Sequence, residues 1–406
     1  MTDGKHVIFL GAGASATSGY PLARELTKLM ADRLHFFNHV RKLLAREEGT
    51  VDQAIYNVAL GLFDSFEPAA KLLKEGSFAT MDELSNLAFG GQRAGDVLAL
   101  KRLLRLIFAL DNPHVWHWGT SDYPNFVNAL FGGREVPRDD VCILSFNYDP
   151  YLDFLLFSAL RARHSLRGVD DDKMRYLKQA VTSGFFDPGS VDWLQADGFS
   201  HLKLHGVAAL PHTPPRVDNK IFHWMHLFDR DIRRRCIHCR DLGHQDPPVL
   251  LPWEIIHPEE STLLNEADFR RSVGASWQHS ELHPLFAGIW KRARNEIQNA
   301  RKVSFVGMSM AALYEPELRY LFHERRLDKP LQLLSVSPGN KATREGGTGV
   351  PLDRVTPAGK LYHFLRDLLR RDPFAPKGVG TVEGFERSVG VDWAYEFSEF
   401  VALHMD

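Results

Sequence analysis

Short apolar runs alternate along this chain with longer segments in which apolar residues recur at helical spacing. Runs typical of buried strands lie at His6–Leu10, 139–149, 200–206, 302–310 and 331–340, and 247–253 is a further strand candidate. Helical spacing characterises 21–37, 98–110, 151–166, 282–299, 314–326 and 359–371, and most of the stretch 39–130. The pattern therefore predicts strands that alternate with helices.

Several of these strands are apolar throughout, which is typical of a parallel sheet covered on both faces. We therefore predict an α/β protein with a Rossmann-like parallel sheet, helices on both faces and a large helical insertion. In such sheets, ligands bind beyond the carboxyl ends of the strands. The polar residues that end each strand are thus the candidate functional residues.

Composition narrows the class of protein further. The chain has 406 residues, a net charge of −2 and three cysteines, Cys142, Cys236 and Cys239. An almost neutral chain has no overall positive field to attract nucleic acid, although its composition is still compatible with a local basic patch. Few cysteines, no signal peptide and no apolar run of membrane-spanning length predict a cytoplasmic protein without a membrane segment.

The first strand runs into the turn Gly11-Ala12-Gly13-Ala14-Ser15-Ala16, which fits the loose dinucleotide-binding pattern G-x-G-x-x-G/A. Glycines there permit a tight turn and let the backbone approach a pyrophosphate. That pattern normally includes an acidic residue at the end of a second strand, about twenty positions on. Here Asp32 falls within the predicted helix 21–37, which argues against an ordinary dehydrogenase site.

Other strand ends carry their own polar residues. Asn147 and Asp149 follow the second strand two residues apart, so they lie on one side of an extended chain. His205 ends the third strand, and Gly307 and Ser309 end the fourth. Each residue has an ordinary structural explanation by itself, as a turn former or a core histidine.

The four strand ends together resemble the sirtuin superfamily. "GAGASATSGYP", "FNYD", "KLHG" and "GMSM" stand in the order of the sirtuin motifs, and the resemblance spans roughly residues 5–340. It implies a sirtuin-like NAD-binding core formed by 1–38 and 139–345. On this reading 39–138 is a helical insertion, and 346–406 is an extension that packs on the core or on a partner.

Two departures separate the chain from sirtuin deacylases. "PLAREL" replaces their aspartate-phenylalanine-arginine stretch, and the zinc ribbon is reduced to Cys236 and Cys239. A structural zinc site needs four ligands, and His238 and His244 would have to complete it. We expect no bound zinc and no other metal. These departures resemble sirtuin-like NAD hydrolases of bacterial antiviral defence systems.

That resemblance implies cleavage of NAD⁺ to ADP-ribose and nicotinamide. Asn147 would orient the ribose hydroxyls or a water, His205 would act as general base, and Asp149 would contact the nicotinamide carboxamide. Ser15 would donate a hydrogen bond to the pyrophosphate. Residues implied in binding the rest of the dinucleotide are Gly11, Ala12, Gly13, Gly307, Ser309, Ser337 and Asn340.

The resemblance also implies a homo-oligomer and a regulatory partner, either a HerA-like ATPase or a short Argonaute-type protein. Two alternatives stay open at this stage: an NAD-dependent protein deacylase, and a non-catalytic sensor of NAD⁺ or ADP-ribose. The sequence holds no visible carboxylate cluster with nuclease spacing. Direct binding of nucleic acid is left undecided.

Overall fold

The structure, a computed structural model, describes most of the predicted core. The described residues are 4–48, 53–76, 94–110, 121–163, 176–177, 179–185, 191–208, 249–251, 254–256, 262–273, 282–308, 315–322, 331–336, 363–364, 389–394 and 397–405. All statements below concern these residues.

The centre of the fold is a six-stranded sheet in which every pair of neighbours is parallel. Its strands are β1 (His6–Leu10), β2 (Val141–Ser145), β3 (Ser200–Lys203), β4 (Lys302–Val306), β5 (Leu331–Val336) and β6 (Val389–Ala394). They lie in the order β3-β2-β1-β4-β5-β6. This is the Rossmann strand order, so the predicted fold class is confirmed.

Helices surround the sheet. In chain order they are α1 (Ala12–Ala16), α2 (Ala23–Ala31), α3 (Arg33–Glu48), α4 (Gln53–Lys74), α5 (Ala94–Leu110), α6 (Tyr123–Phe131), α7 (Tyr151–Arg163), α8 (Glu266–Val273), α9 (Leu282–Asn299), α10 (Glu315–Phe322) and α11 (Phe397–His404). All residues of β1, β2 and β3 are buried, which explains why their sequences are apolar runs rather than alternating patterns.

Aromatic packing joins the central strands on one side of the sheet. The rings of Phe9 on β1 and Phe305 on β4 stack with centroids 4.7 Å apart. Phe322 of α10 lies 6.4 Å from both rings. This cluster holds α10 against the centre of the sheet, near the carboxyl ends of β1 and β4.

The predicted helix 21–37 is interrupted, and this is a correction. Asp32 lies between α2 and α3 with an extended backbone (ψ 115°), and its Oδ1 accepts a hydrogen bond of 2.9 Å from the amide of His35. Aspartate favours this capping position because its short side chain satisfies an amide at a helix start. Asp32 therefore starts a second helix instead of lying inside one.

The sequence predicts a mainly helical region at 39–130, and helices α3 to α6 make up most of its described part. Helix α3 runs through residue 39, so the boundary expected at 38/39 falls inside a helix. A buried ion pair links this region to the segment after β3, with Lys101 of α5 lying 2.7 Å from the carboxylate of Glu254. Two side chains with almost no exposure to solvent thus join helix α5 to the segment after β3.

Of the expected strand at 247–253, the structure describes only 249–251, and residues 247, 248, 252 and 253 lie outside the described residues. Within the described part, Val249 forms an isolated antiparallel bridge with Gly206 and does not join the sheet. Most of the helix expected at 359–371 also lies outside them.

The end of the chain contributes to the core. Strand β6 pairs with β5, and Phe400 of α11 is fully buried. Arg138 binds Asp140 through two 3.0 Å contacts and donates to the carbonyl of Met405 at 2.5 Å. No helix in the described ranges is long and apolar enough to cross a bilayer.

Candidate functional site

The glycine turn after β1 packs directly on the end of β4. The amide of Gly13 donates to the carbonyl of Gly307 at 2.8 Å. A side chain on Gly11 would come within 2.7 Å of that carbonyl, and one on Gly13 within 2.8 Å of the Gly307 Cα. Gly307 has φ +63° and faces Ala14. Glycine is required at these positions because the backbone of the turn lies against the backbone after β4 and leaves no room for a side chain.

This contact lies where the strand order reverses. β1 is flanked by β2 on one side and by β4 on the other, so chain crossovers leave in opposite directions there. In doubly wound sheets, that arrangement opens the crevice in which ligands bind. The predicted turn residues Gly11, Ala12, Gly13 and Gly307 lie at this point, and Ala12 and Gly13 are only partly buried.

Ser15 is the hub of a buried polar cluster. Its Oγ donates to Asp149 Oδ2 at 2.7 Å and accepts from Asn147 Nδ2 at 2.9 Å. The Tyr123 hydroxyl lies 3.0 Å from the same Oγ. Burial, with the Asp149 charge as a smaller cause, raises the pKa of Tyr123, so the phenol stays protonated. Because the Ser15 hydrogen is directed at Asp149, the Tyr123 hydroxyl is the donor to Ser15 Oγ. One donor and two acceptor positions of the serine hydroxyl are therefore all used.

Asn147 and Asp149 also tie this cluster to the backbone. Asn147 Nδ2 lies 3.0 Å from the Gly11 carbonyl, and Asp149 Oδ1 accepts from the Tyr151 amide at 3.2 Å. Burial raises the pKa of Asp149, while the Lys203 charge and the hydrogen bond from Ser15 act in the opposite direction. The cluster therefore fixes the end of β2 to the turn after β1.

Residues 146–149 keep strand-like alternation beyond the end of β2. Asn147 and Asp149 both contact Ser15, as their spacing predicts. Phe146 and Tyr148 turn the other way and contact His205, with ring centroids 5.0 Å and 5.9 Å away. One short segment thus joins the Ser15 cluster to the histidine.

His205 lies just past β3 in a rigid, buried setting. Its Nε2 is 2.9 Å from Glu317 Oε1 of α10, and both side chains are about 2% exposed or less. The His205 carbonyl accepts from the Leu250 amide at 3.0 Å. Trp290 of α9 donates to the carbonyl of Leu204, the preceding residue, at 3.1 Å. Backbone and ring are therefore both held in place.

Strand β3, which precedes His205, carries two further buried ionisable residues, Lys203 and His201. Lys203 donates to the main-chain carbonyl of Asp149 and lies 3.1 Å from Asp153 Oδ2. His201 Nδ1 is 3.1 Å from the Val181 carbonyl and 3.7 Å from Asp153. Burial lowers the pKa of His201 despite the Asp153 carboxylate, so its ring is neutral and Nδ1–H donates to Val181.

Part of the predicted site lies outside the described residues. Ser309, Ser337 and Asn340 are in this group, as are Cys236, His238, Cys239 and His244. Within the described ranges, no set of three or more histidine, cysteine or acidic side chains is arranged to hold a metal ion.

Sequence reasoning missed three residues that shape the site. Tyr123 begins a helix of the insertion and carries no motif. Lys203 had a usable signal, because it lies two positions before His205 and so shares its side of the strand. Glu317 had only a weak signal, as an acidic residue in the otherwise apolar-patterned helix 314–326.

Comparison with known proteins leaves the chain without an assigned family. No protein-family model matches the sequence, and no curated protein gives a significant match.

Proposed function

We propose that this protein is a sirtuin-like NAD⁺ hydrolase that cleaves the bond between nicotinamide and ribose. The observation that carries the proposal is that the glycine turn and Asn147 lie together at the reversal of a Rossmann strand order, while His205 packs on Phe146 and Tyr148 of the same segment after β2. A dinucleotide bound across that reversal would bring its phosphates to the turn and its ribose toward the ends of β2 and β3.

The chemistry requires few groups. A water attacks the anomeric carbon, the new C–O bond forms as the C–N bond breaks, and the electron pair of that bond neutralises the departing nicotinamide. The water proton passes to His205, and the products are nicotinamide, ADP-ribose and a proton. Positive charge develops on the ribose on the way, as in glycoside hydrolysis, so a buried and preorganised site favours the reaction.

The contacts refine the roles expected from the resemblance. Ser15 already donates to Asp149, and three amides of the turn already donate to backbone carbonyls, so the amide of Ala12 would be the main donor to the pyrophosphate. Asp149 is 4% exposed and accepts from both Ser15 and Tyr151, so it would stabilise the site instead of contacting nicotinamide. Asn147 would keep its nitrogen on the turn and offer its side-chain oxygen to the ribose or the water.

The same resemblance extends the proposal to cellular context. Depletion of NAD⁺ would serve antiviral defence, and a homo-oligomer with a regulatory partner protein would restrain the activity. The HerA-like ATPase is the first partner to test, and a short Argonaute-type protein is the alternative that the resemblance also implies.

The test is an assay of NAD⁺ consumption by the purified chain, alone and with the product of the neighbouring gene. Nicotinamide and ADP-ribose released in equal amounts support the hydrolase. Tight binding of NAD⁺ by calorimetry without turnover in either preparation would instead favour the sensor. Release of nicotinamide only when an acylated peptide is added would favour the deacylase.

A further inference from the structure

Glu317 Oε1 lies 2.9 Å from Nε2 of His205. It comes from α10, whereas His205 follows β3, and the two residues are separated by 112 positions. The rings of Phe146 and Tyr148 pack against His205 at the same time. An acidic side chain has thus been brought to the imidazole from a distant element.

The contact determines which nitrogen of the neutral ring carries the proton. A carboxylate can only accept hydrogen bonds, so Nε2 must be the protonated nitrogen when it faces Glu317. The lone pair of the neutral ring then lies on Nδ1. When the ring takes up a second proton, the same carboxylate lies 2.9 Å from the new positive charge.

The environment of Glu317 argues against a purely structural pair. Its side chain is about 1% exposed, and among the described residues its second oxygen, Oε2, has no hydrogen-bond partner. Buried polar atoms without a partner are rare and destabilising in folded proteins. Glu254, by contrast, has a partner for each oxygen, Lys101 and the Leu251 amide, whereas Asp153, like Glu317, has a buried oxygen that makes no hydrogen bond within the described residues.

We propose that Glu317 is the positioning residue for His205: it fixes the ring as the Nε2–H tautomer and compensates the charge that the ring gains as a base. This inference rests on the proposed function for its catalytic consequence, but the tautomer it assigns is a property of the protein alone. Glu317 itself contacts no reacting atom and acts through the imidazole.

The experiment compares Glu317→Gln with Glu296→Gln in the full-length chain. Glu296 is the matched control, a buried carboxylate of α9 paired with Arg292 and with Lys5, which precedes β1 at the amino-terminal edge of the sheet. The tautomer is read by long-range ¹H–¹⁵N correlation of ¹⁵N-histidine protein, with His205→Ala identifying the signal. An amide can donate as well as accept, so Glu317→Gln allows the other tautomer.

We expect His205 to be the Nε2–H tautomer in the wild-type chain and in Glu296→Gln, and to lose that preference in Glu317→Gln. Turnover of NAD⁺ should fall at least about tenfold in Glu317→Gln, with KM changed less than about threefold. Glu317→Asp, which keeps an acceptor-only group, should retain the tautomer and more of the turnover if Glu317→Gln folds poorly.

An Nδ1–H tautomer in the wild-type chain, or the same tautomer in Glu317→Gln as in wild type, would overturn the proposal. So would equal losses of turnover in Glu317→Gln and Glu296→Gln. A chain that holds the expected tautomer but never consumes NAD⁺ would contradict the hydrolase while leaving the positioning contact established.

Discussion

Ser15 and Asp149 are 134 positions apart in the chain, and the serine hydroxyl donates to the aspartate carboxylate at 2.7 Å. Both are at most 4% exposed. The bond joins the turn after β1 to the segment after β2, and Asn147 and Tyr123 complete the cluster. The site is therefore rigid before any ligand arrives, which is what a preorganised catalytic centre requires.

Replacing Ser15 should destabilise the fold. Ser15→Ala leaves Asp149 and Asn147 without their shared partner in a buried place, and we expect a loss of about 1–3 kcal/mol in the free energy of unfolding. Urea unfolding followed by circular dichroism measures it. Ser65→Ala is the control, because that exposed hydroxyl only bonds the carbonyl of Gly61 in its own helix. Equal effects of the two substitutions would contradict the role of Ser15 as a hub.

Gly307 should tolerate no side chain. Gly307→Ala places a methyl group against the nitrogen of Ala14 at a φ of +63°, so we expect a loss of more than about 2 kcal/mol, or failure to fold. Gly61→Ala is the matched control on α4, where a methyl group meets nothing within 4 Å and favours the helix. A thermal-shift comparison that ranks Gly307→Ala as stable as Gly61→Ala would refute the close contact.

His201 should make stability depend on pH. Burial lowers its folded-state pKa below the ordinary 6.5, so below pH 6.5 the unfolded chain binds a proton that the native chain does not. Stability should therefore fall as the pH drops below 6.5, with a slope of up to about 1.4 kcal/mol per pH unit from this residue. Above that pH the contribution is constant.

The test is the difference in unfolding free energy between wild type and His201→Gln across that range. Because other groups titrate in both proteins, only the difference isolates the histidine, whose charged neighbours are Asp153 and Lys203. The difference should shrink, or change sign, as the solution becomes more acidic. A difference independent of pH would show that the ring is not held neutral.

Cys142 should resist thiol reagents in the folded protein. It is fully buried in β2, and burial, with Glu296 as a smaller cause, raises the pKa of its thiol to about 12. Peptide mass spectrometry after iodoacetamide treatment at neutral pH should find it unmodified, and modified once urea unfolds the chain. Rapid labelling of the native protein would contradict the packing around β2.

The strands of the centre could be predicted because each is a continuous apolar run ended by polar residues, as at His6–Leu10 and Lys302–Val306. Helix α9, at Leu282–Asn299, has the predicted bounds because its apolar residues recur at clear helical spacing. β6 was missed, because Val389–Ala394 mixes glycine and aspartate into a short β-branched run and pairs only with the distant β5.

Some residues of the candidate site could likewise be predicted from the sequence, and others could not. Asn147, Asp149 and His205 could be found because each lies within four residues after the end of a strand, and the sheet brings strand ends together. Tyr123 and Glu317 could not, because each comes from a helix whose position is set by packing across the fold. Asp32 was misassigned because helical periodicity continues on both sides of it, while its capping hydrogen bond depends on local backbone geometry.

In the proposed function His205 is the general base for the cleavage of NAD⁺, and replacing this histidine is the sharpest test of that proposal. The rate of ADP-ribose formation is measured for wild type, His205→Ala and His283→Ala, the last a half-buried histidine that bonds the Leu264 carbonyl. We predict a loss of about 10²–10⁴-fold for His205→Ala and wild-type turnover for His283→Ala. Undiminished ADP-ribose formation by a folded His205→Ala protein would contradict the account.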